Sequence, residues 1–209
     1  MTATLVIEPD PGPIERTRAE VAVVTFFAGD RPLRGSAGRA DWRLCGRLSR
    51  LLAAGDLEAP GDAALIPTCG GLRAPLLLAL ALGPGDGFDS RHWEEAAEEA
   101  VARCLRLDAA TIALPLLEAP AGGRELARRV EALVSGAARA LAGGSGQIGV
   151  RVIAAPREAA QAAKLLESTR PAELPNGVEL RLPARSRRVG AAPAAGAASV
   201  GSNLPPPVK

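Results

Sequence analysis

Apolar positions along the chain fall into short continuous blocks and longer stretches that repeat at three-and-four spacing. The strongest block is Val21 to Phe27, Val-Ala-Val-Val-Thr-Phe-Phe. A strand apolar on both faces belongs in a sheet that is covered on both sides. Thr4 to Ile7, Ala63 to Pro67, Leu76 to Leu82, Thr111 to Leu117, Ile148 to Ala154 and Val178 to Leu182 are further strands. Cys69-Gly70-Gly71 makes a hairpin-like link between two of them.

The periodic stretches predict helices between these strands. One runs over about 38–54 with Leu44, Cys45, Leu48, Leu51 and Leu52 inward, stopped by Gly55. Ser90 is the expected N-cap of a second, which runs to Leu107 and buries Trp93, Ala97, Ala100, Val101 and Cys104. A third spans Gly123 to Ala142, with Leu126, Val130, Leu133, Val134, Ala137 and Leu141 inward, and a small Ala-rich helix covers Pro156 to Glu167. Strands alternating with helices imply right-handed crossovers and an α/β fold: a three-layer α/β/α sandwich on a mixed, mostly parallel sheet.

The 209 residues suit one domain, expected over 1–183. The remainder, Ala184 to Lys209, is rich in Ala, Pro, Gly and Ser and is expected to be a disordered basic tail. It holds Arg185, Arg187, Arg188 and Lys209 and no acid, so subtracting its +4 turns the net charge of +2 into −2 for the body. Nucleic acid is therefore disfavoured as a partner of the body. The apolar run Leu76 to Leu82 is far short of the roughly 20 residues of a membrane span, and the N-terminus has no signal-peptide pattern. A cytoplasmic protein is expected, with no membrane partner. Cys45, Cys69 and Cys104 show no metal or disulfide spacing and are expected to be buried thiols.

Candidate chemistry is sparse. His92 stands alone beside Trp93 and is expected to be exposed or capping, and Glu94, Glu95, Glu98 and Glu99 are expected on a solvated helix face. Gly83-Pro84-Gly85-Asp86-Gly87-Phe88 sits where a dinucleotide fingerprint would lie, but Phe88 replaces its third glycine, so a structural turn is expected. Gly122, Gly123 and Arg124 make an anion candidate, small residues opening a helix beside a cation, though a plain strand-to-helix turn explains them as well. Arg39, Arg43, Arg47 and Arg50 fall on one side of the first helix, where they could meet phosphates or an acidic partner or simply form a solvated face.

The order of several pieces resembles the N-terminal domain of the leucyl (cytosol) aminopeptidases. These are the block Val21–Phe27, Arg31-Pro32-Leu33, Ala40-Asp41-Trp42 through Leu51-Leu52, and Ala54-Gly55-Asp56-Leu57-Glu58-Ala59-Pro60-Gly61. Leu80-Ala81-Leu82-Gly83-Pro84-Gly85, Phe88-Asp89 and Thr111-Ile112-Ala113-Leu114-Pro115 follow in the same order. That resemblance implies a macro-domain-like fold. In the family the two-metal catalytic machinery belongs to a following domain whose signature Asn-Thr-Asp-Ala-Glu-Gly-Arg does not occur in these residues, so it implies no catalytic residue, metal or cofactor here.

The leading expectation is a non-catalytic, stand-alone interaction, oligomerisation or regulatory module linked to peptide turnover. Its partner would be a protein, either a second copy or a separate aminopeptidase catalytic chain. The macro-domain link offers an alternative, an ADP-ribose or related nucleotide held at Gly122, Gly123 and Arg124. A nucleic-acid accessory acting through the arginine stripe is a further alternative.

Overall fold

The computed structural model describes residues 2–86, 88–116, 123–169 and 174–182. Seven strands form one sheet: β1 (Ala3–Asp10), β2 (Val21–Phe26), β3 (Ala63–Pro67), β4 (Leu76–Ala81), β5 (Thr111–Pro115), β6 (Gly146–Ile153) and β7 (Val178–Arg181). The helices are α1 (Gly35–Arg43), α2 (Arg47–Ala54), α3 (Ser90–Arg106), α4 (Gly123–Ala140) and α5 (Ala159–Ser168), with a 3-10 turn at Ile14–Arg16 before β2. Strand order is β3-β4-β2-β5-β6-β1-β7. All pairings are parallel except β3 with β4, which run antiparallel as the link at Cys69-Gly70-Gly71 requires.

The period-two geometry of the strands sorts their side chains onto two cores. Val21, Val23, Leu78 and Leu80 point to a core closed by α3, α4 and α5. Ala22, Val24, Phe26, Leu77 and Ala79 point to the other, closed by α1, α2 and Ile14. The three-layer sandwich is thus present, and the continuous blocks of β2 and β4 are buried on both faces. The inward helix stripes also match expectation, with Trp93, Val101, Cys104, Val130 and Val134 all buried.

Coverage thins across the sheet. In β1 buried and part-exposed residues alternate, Leu5 and Ile7 inward against Val6 and Glu8, and β6 does likewise. One face of that half is polar, and an ion pair between Asp10 Oδ2 and Arg151 Nη1 at 3.7 Å lies on it.

Three expectations need correction. The single helix over 38–54 is two helices, because Cys45 and Gly46 adopt left-handed backbone (φ 54° and 77°) that no α-helix can contain. Leu48 and Leu52 still reach the core, whereas Leu44 is half-buried and Cys45 exposed. Of the thiols only Cys104 is buried; Cys45 and Cys69 sit exposed on turns. The N-cap of α3 is Asp89, not Ser90, since the Asp89 carboxylate accepts from the backbone N–H groups of Arg91 and His92. The expected tail lies outside the described residues.

Candidate functional site

In a parallel sheet the connections leaving two neighbouring strands diverge at one place, and a crevice opens at the carboxyl ends of those strands. Here the place is between β2 and β5. The chain leaves β2 toward β4 on one side and leaves β5 toward β6 on the other. Ends of both strands, the start of α3 and the first half of α4 meet at this edge.

Side chains of the described residues pack into it. Thr25 from β2, Leu114 and Pro115 from β5, Trp93 from α3 and Arg129 from α4 leave about 10 Å³ between them. That is room for about one water molecule. Phe27 lies edge-on to Phe88, ring centres 4.9 Å apart and planes at 84°, and Phe88 continues to His92 at 5.2 Å and Trp93 at 6.2 Å. This is the favoured geometry for aromatic pairs. Gly83 to Asp86 and Phe88 therefore form a packed turn, as expected. Gly83 holds φ 74° where a Cβ would overlap the Pro60 ring, and Gly85 lies 3.5 Å, at its would-be Cβ, from the Phe27 ring.

The titratable groups nearby already have structural partners. His92 Nδ1 approaches Asp89 Oδ1 at 2.8 Å and the Asp89 backbone N–H at 3.3 Å, closing a capping box at the head of α3. Bonds from the His92 backbone N–H, then from its side chain, hold the Asp89 carboxyl below the usual carboxylate range. The capping role expected for His92 is the one the structure has. Glu94 and Glu98, expected on a solvated face, instead bridge to Arg139 of α4 at 3.2 and 2.9 Å. Glu99 holds Arg103 at 2.6 Å, and Arg103 Nη2 donates to the Gly61 carbonyl at 2.7 Å. A shallow cleft of about 190 Å³ beside them is lined by Leu82, Phe88, His92, Glu95 and Glu99, the two carboxylates paired with Arg91 and Arg103.

Arg129 is buried at 1% exposure and its Nη2 donates to Glu158 Oε1 at 3.0 Å, joining α4 to the start of α5. Sequence reasoning missed this pair, although Arg129 falls three residues after Leu126 and four before Leu133, on the inward stripe itself.

The residues singled out from sequence are placed as follows. Gly123 opens α4 at the carboxyl edge of the sheet; Gly122 and the Arg124 side chain lie outside what is described. Arg39 and Arg43 belong to α1, Arg47 and Arg50 to α2, and the break at 44–46 separates the two pairs. Arg43 Nε donates to the Gly71 carbonyl at 3.0 Å and Arg50 Nη1 to the Cys45 carbonyl at 2.9 Å. Arg39 and Arg47 are exposed.

Residues 23–142 match the family model described as cytosol aminopeptidase family, N-terminal domain. The chain belongs to that family. It is 33% identical over 117 residues to a probable cytosol aminopeptidase of Halorhodospira halophila, a match covering 55% of this chain and 23% of that protein. The chain thus spans under a quarter of the length of this relative. Among solved structures, a Trypanosoma brucei macrodomain superposes with TM-score 0.61 at 16% identity, covering 76% of this chain and 65% of the other. A mutant tomato leucine aminopeptidase superposes with TM-score 0.55 at 11% identity, covering 78% of this chain and 35% of the other. The fold is macrodomain-like. No helix among the described residues is long and apolar enough to cross a membrane.

Proposed function

We propose that this aminopeptidase N-terminal domain is a non-catalytic interaction module of the cytoplasm, docking on a second copy of itself or on an aminopeptidase catalytic domain. The observation that carries this reading is the state of the switch-point crevice. At the switch point between β2 and β5 this chain has packed Thr25, Trp93, Pro115 and Arg129 together, with the Phe27–Phe88 pair beside Trp93.

Chemistry at that edge is also committed elsewhere. His92 and Asp89 cap a helix, Glu94 and Glu98 hold Arg139, and Glu99 holds Arg103. A general acid or base needs a proton it can exchange with substrate, and these groups spend their hydrogen bonds on structure. The ADP-ribose reading needs a phosphate cradle. Among the described residues the open cleft is lined by no arginine or lysine, and its carboxylates Glu95 and Glu99 are already held by Arg91 and Arg103.

Two measurements test the proposal. Purified chain supplied with zinc or manganese is expected not to hydrolyse leucine p-nitroanilide, and turnover that persists through repurification overturns the non-catalytic reading. Size-exclusion chromatography with light scattering, alone and with an aminopeptidase catalytic domain, is expected to show a dimer or a mixed complex. A monomer under both conditions that takes up ADP-ribose in calorimetry overturns it in favour of the nucleotide module.

A further inference from the structure

At the opposite, amino-terminal edge of the sheet lies a cleft of a different character. It is an open hollow of about 390 Å³ lined by Glu15, Arg16, Arg43 and Arg73 around the Gly70–Gly71 turn. We propose that this cleft binds the phosphate group of a small ligand, either inorganic phosphate or a phosphorylated metabolite.

Three elements remote in sequence bring the cations together. Arg16 ends the 3-10 turn, Arg43 ends α1, and Arg73 lies on the β3–β4 connection. The Arg73 backbone N–H donates to the Glu15 carbonyl at 3.1 Å, and Arg43 Nε donates to the Gly71 carbonyl at 3.0 Å. Gly71 is pressed against the end of α1, since a Cβ there would lie 3.0 Å from the Arg43 carbonyl oxygen and from Leu44 Cδ2. Packing therefore sets the relative positions of the three arginines.

Their charges are also available. Arg91, Arg103, Arg139 and Arg181 each hold a carboxylate within 3.2 Å. Among the described residues, no such ion pair involves Arg16, Arg43 or Arg73. A guanidinium is a planar fork of donors matched to phosphate oxygens, and three of them around one hollow can surround an anion from several directions.

Glu15 also lines the hollow, but its Oε2 is buried, without a hydrogen-bond partner among the described residues, and is not presented to a ligand there. One carboxylate against three guanidinium groups leaves the hollow positively charged, which suits the anionic phosphate group.

The test is calorimetric titration of the full chain at fixed ionic strength with phosphate, phosphoserine and a short DNA duplex. Saturable one-site phosphate binding is expected, weakened about tenfold in both R43Q and R73Q. R39Q is expected to leave it unchanged. Phosphoserine binding more tightly than phosphate identifies a phosphorylated metabolite as ligand; the reverse order identifies phosphate itself. No saturable phosphate binding, or binding unaltered in both R43Q and R73Q, overturns the proposal. A duplex that binds more tightly than phosphate and depends on Arg43 also overturns it, in favour of a nucleic-acid surface. Circular dichroism of each variant identifies any that fails to fold, and R43Q and R73Q test the same site independently.

Discussion

Gly136 of α4 packs directly against the backbone carbonyl oxygen of Glu94 in α3, so close that a Cβ would overlap it. Ala97 Cβ is the next neighbour, 3.0 Å from the same point. This contact lets the two helices approach while Arg139 bridges to Glu94 and Glu98 a turn away. Alanine normally stabilises an exposed helix interior by about 1 kcal/mol relative to glycine. Here the overlap is with backbone that cannot rotate aside. Gly136→Ala is expected to destabilise the fold by about 1–3 kcal/mol, read as a lower urea midpoint with unchanged slope.

The buried pair Arg129–Glu158 sets a second expectation. Exposure of the two side chains is 0% and 12%, so solvent cannot take over the role of either partner. Glu158→Ala leaves a guanidinium in the interior without its carboxylate and is expected to cost about 3 kcal/mol or more. Replacing both at once, Arg129→Met with Glu158→Leu, removes the desolvation cost along with the attraction. Chemical denaturation of the double variant is expected to show far less than the sum of the single losses.

Thiol reactivity follows from burial. Cys104 faces the core from α3, and burial pushes its thiol up to about 12. The native protein is expected to react with Ellman's reagent at Cys45 and Cys69 alone, and the denatured protein at all three cysteines. The folded state binds the Cys104 proton more tightly than the unfolded state. Its contribution to stability is therefore fully present below the unfolded value of 9.0 and is lost as pH rises toward about 12. Cys104→Ala is expected to flatten that alkaline loss in melts recorded between pH 8 and pH 11.

Asp89 carries the opposite sign. The bonds it accepts from His92 and Arg91 depress its carboxyl below 3.8, so the unfolded state holds the proton more tightly. Its stabilisation is present above the unfolded value and is lost as pH falls through the folded one. Asp89→Ala is expected to lower the melting temperature at neutral pH and to remove this acid dependence. Asp89→Asn, which still caps through its side-chain oxygen, is expected to restore most of the melting temperature without restoring the dependence.

Much of the fold was legible because its signals are local. The blocks at 21–27 and 76–82 are apolar at every phase, which demands cover on both faces, and α1 and α2 lie on one face of β2 and β4 while α3 and α4 lie on the other. The stripe in α4 was readable for the same reason. Where two local signals competed, sequence reading chose wrongly. Leu48, Leu51 and Leu52 continue the period of the preceding residues, which masked the left-handed turn at Cys45 and Gly46. That turn exposes Cys45, and a comparable one at Cys69 (φ 49°) exposes the second thiol.

The candidate sites were far less legible. Arginine at 43 reads as one of four on a helix face, and nothing in the order of residues places it beside Arg16 and Arg73. Phe27 and Phe88 give no sign in sequence that they close a crevice together. By itself, the sequence determined the strands, most of the helices and the α/β class, because periodicity and turn residues act within a few residues of one another, and it determined the family through the order of pieces along the chain. Only the tertiary structure decided which charges are neutralised, which thiols are covered, and that described side chains pack into the crevice between β2 and β5 while the amino edge holds an open cationic cleft. Those outcomes depend on contacts between segments tens of residues apart, and Coulombic and packing terms of that kind exist only once the chain has closed on itself.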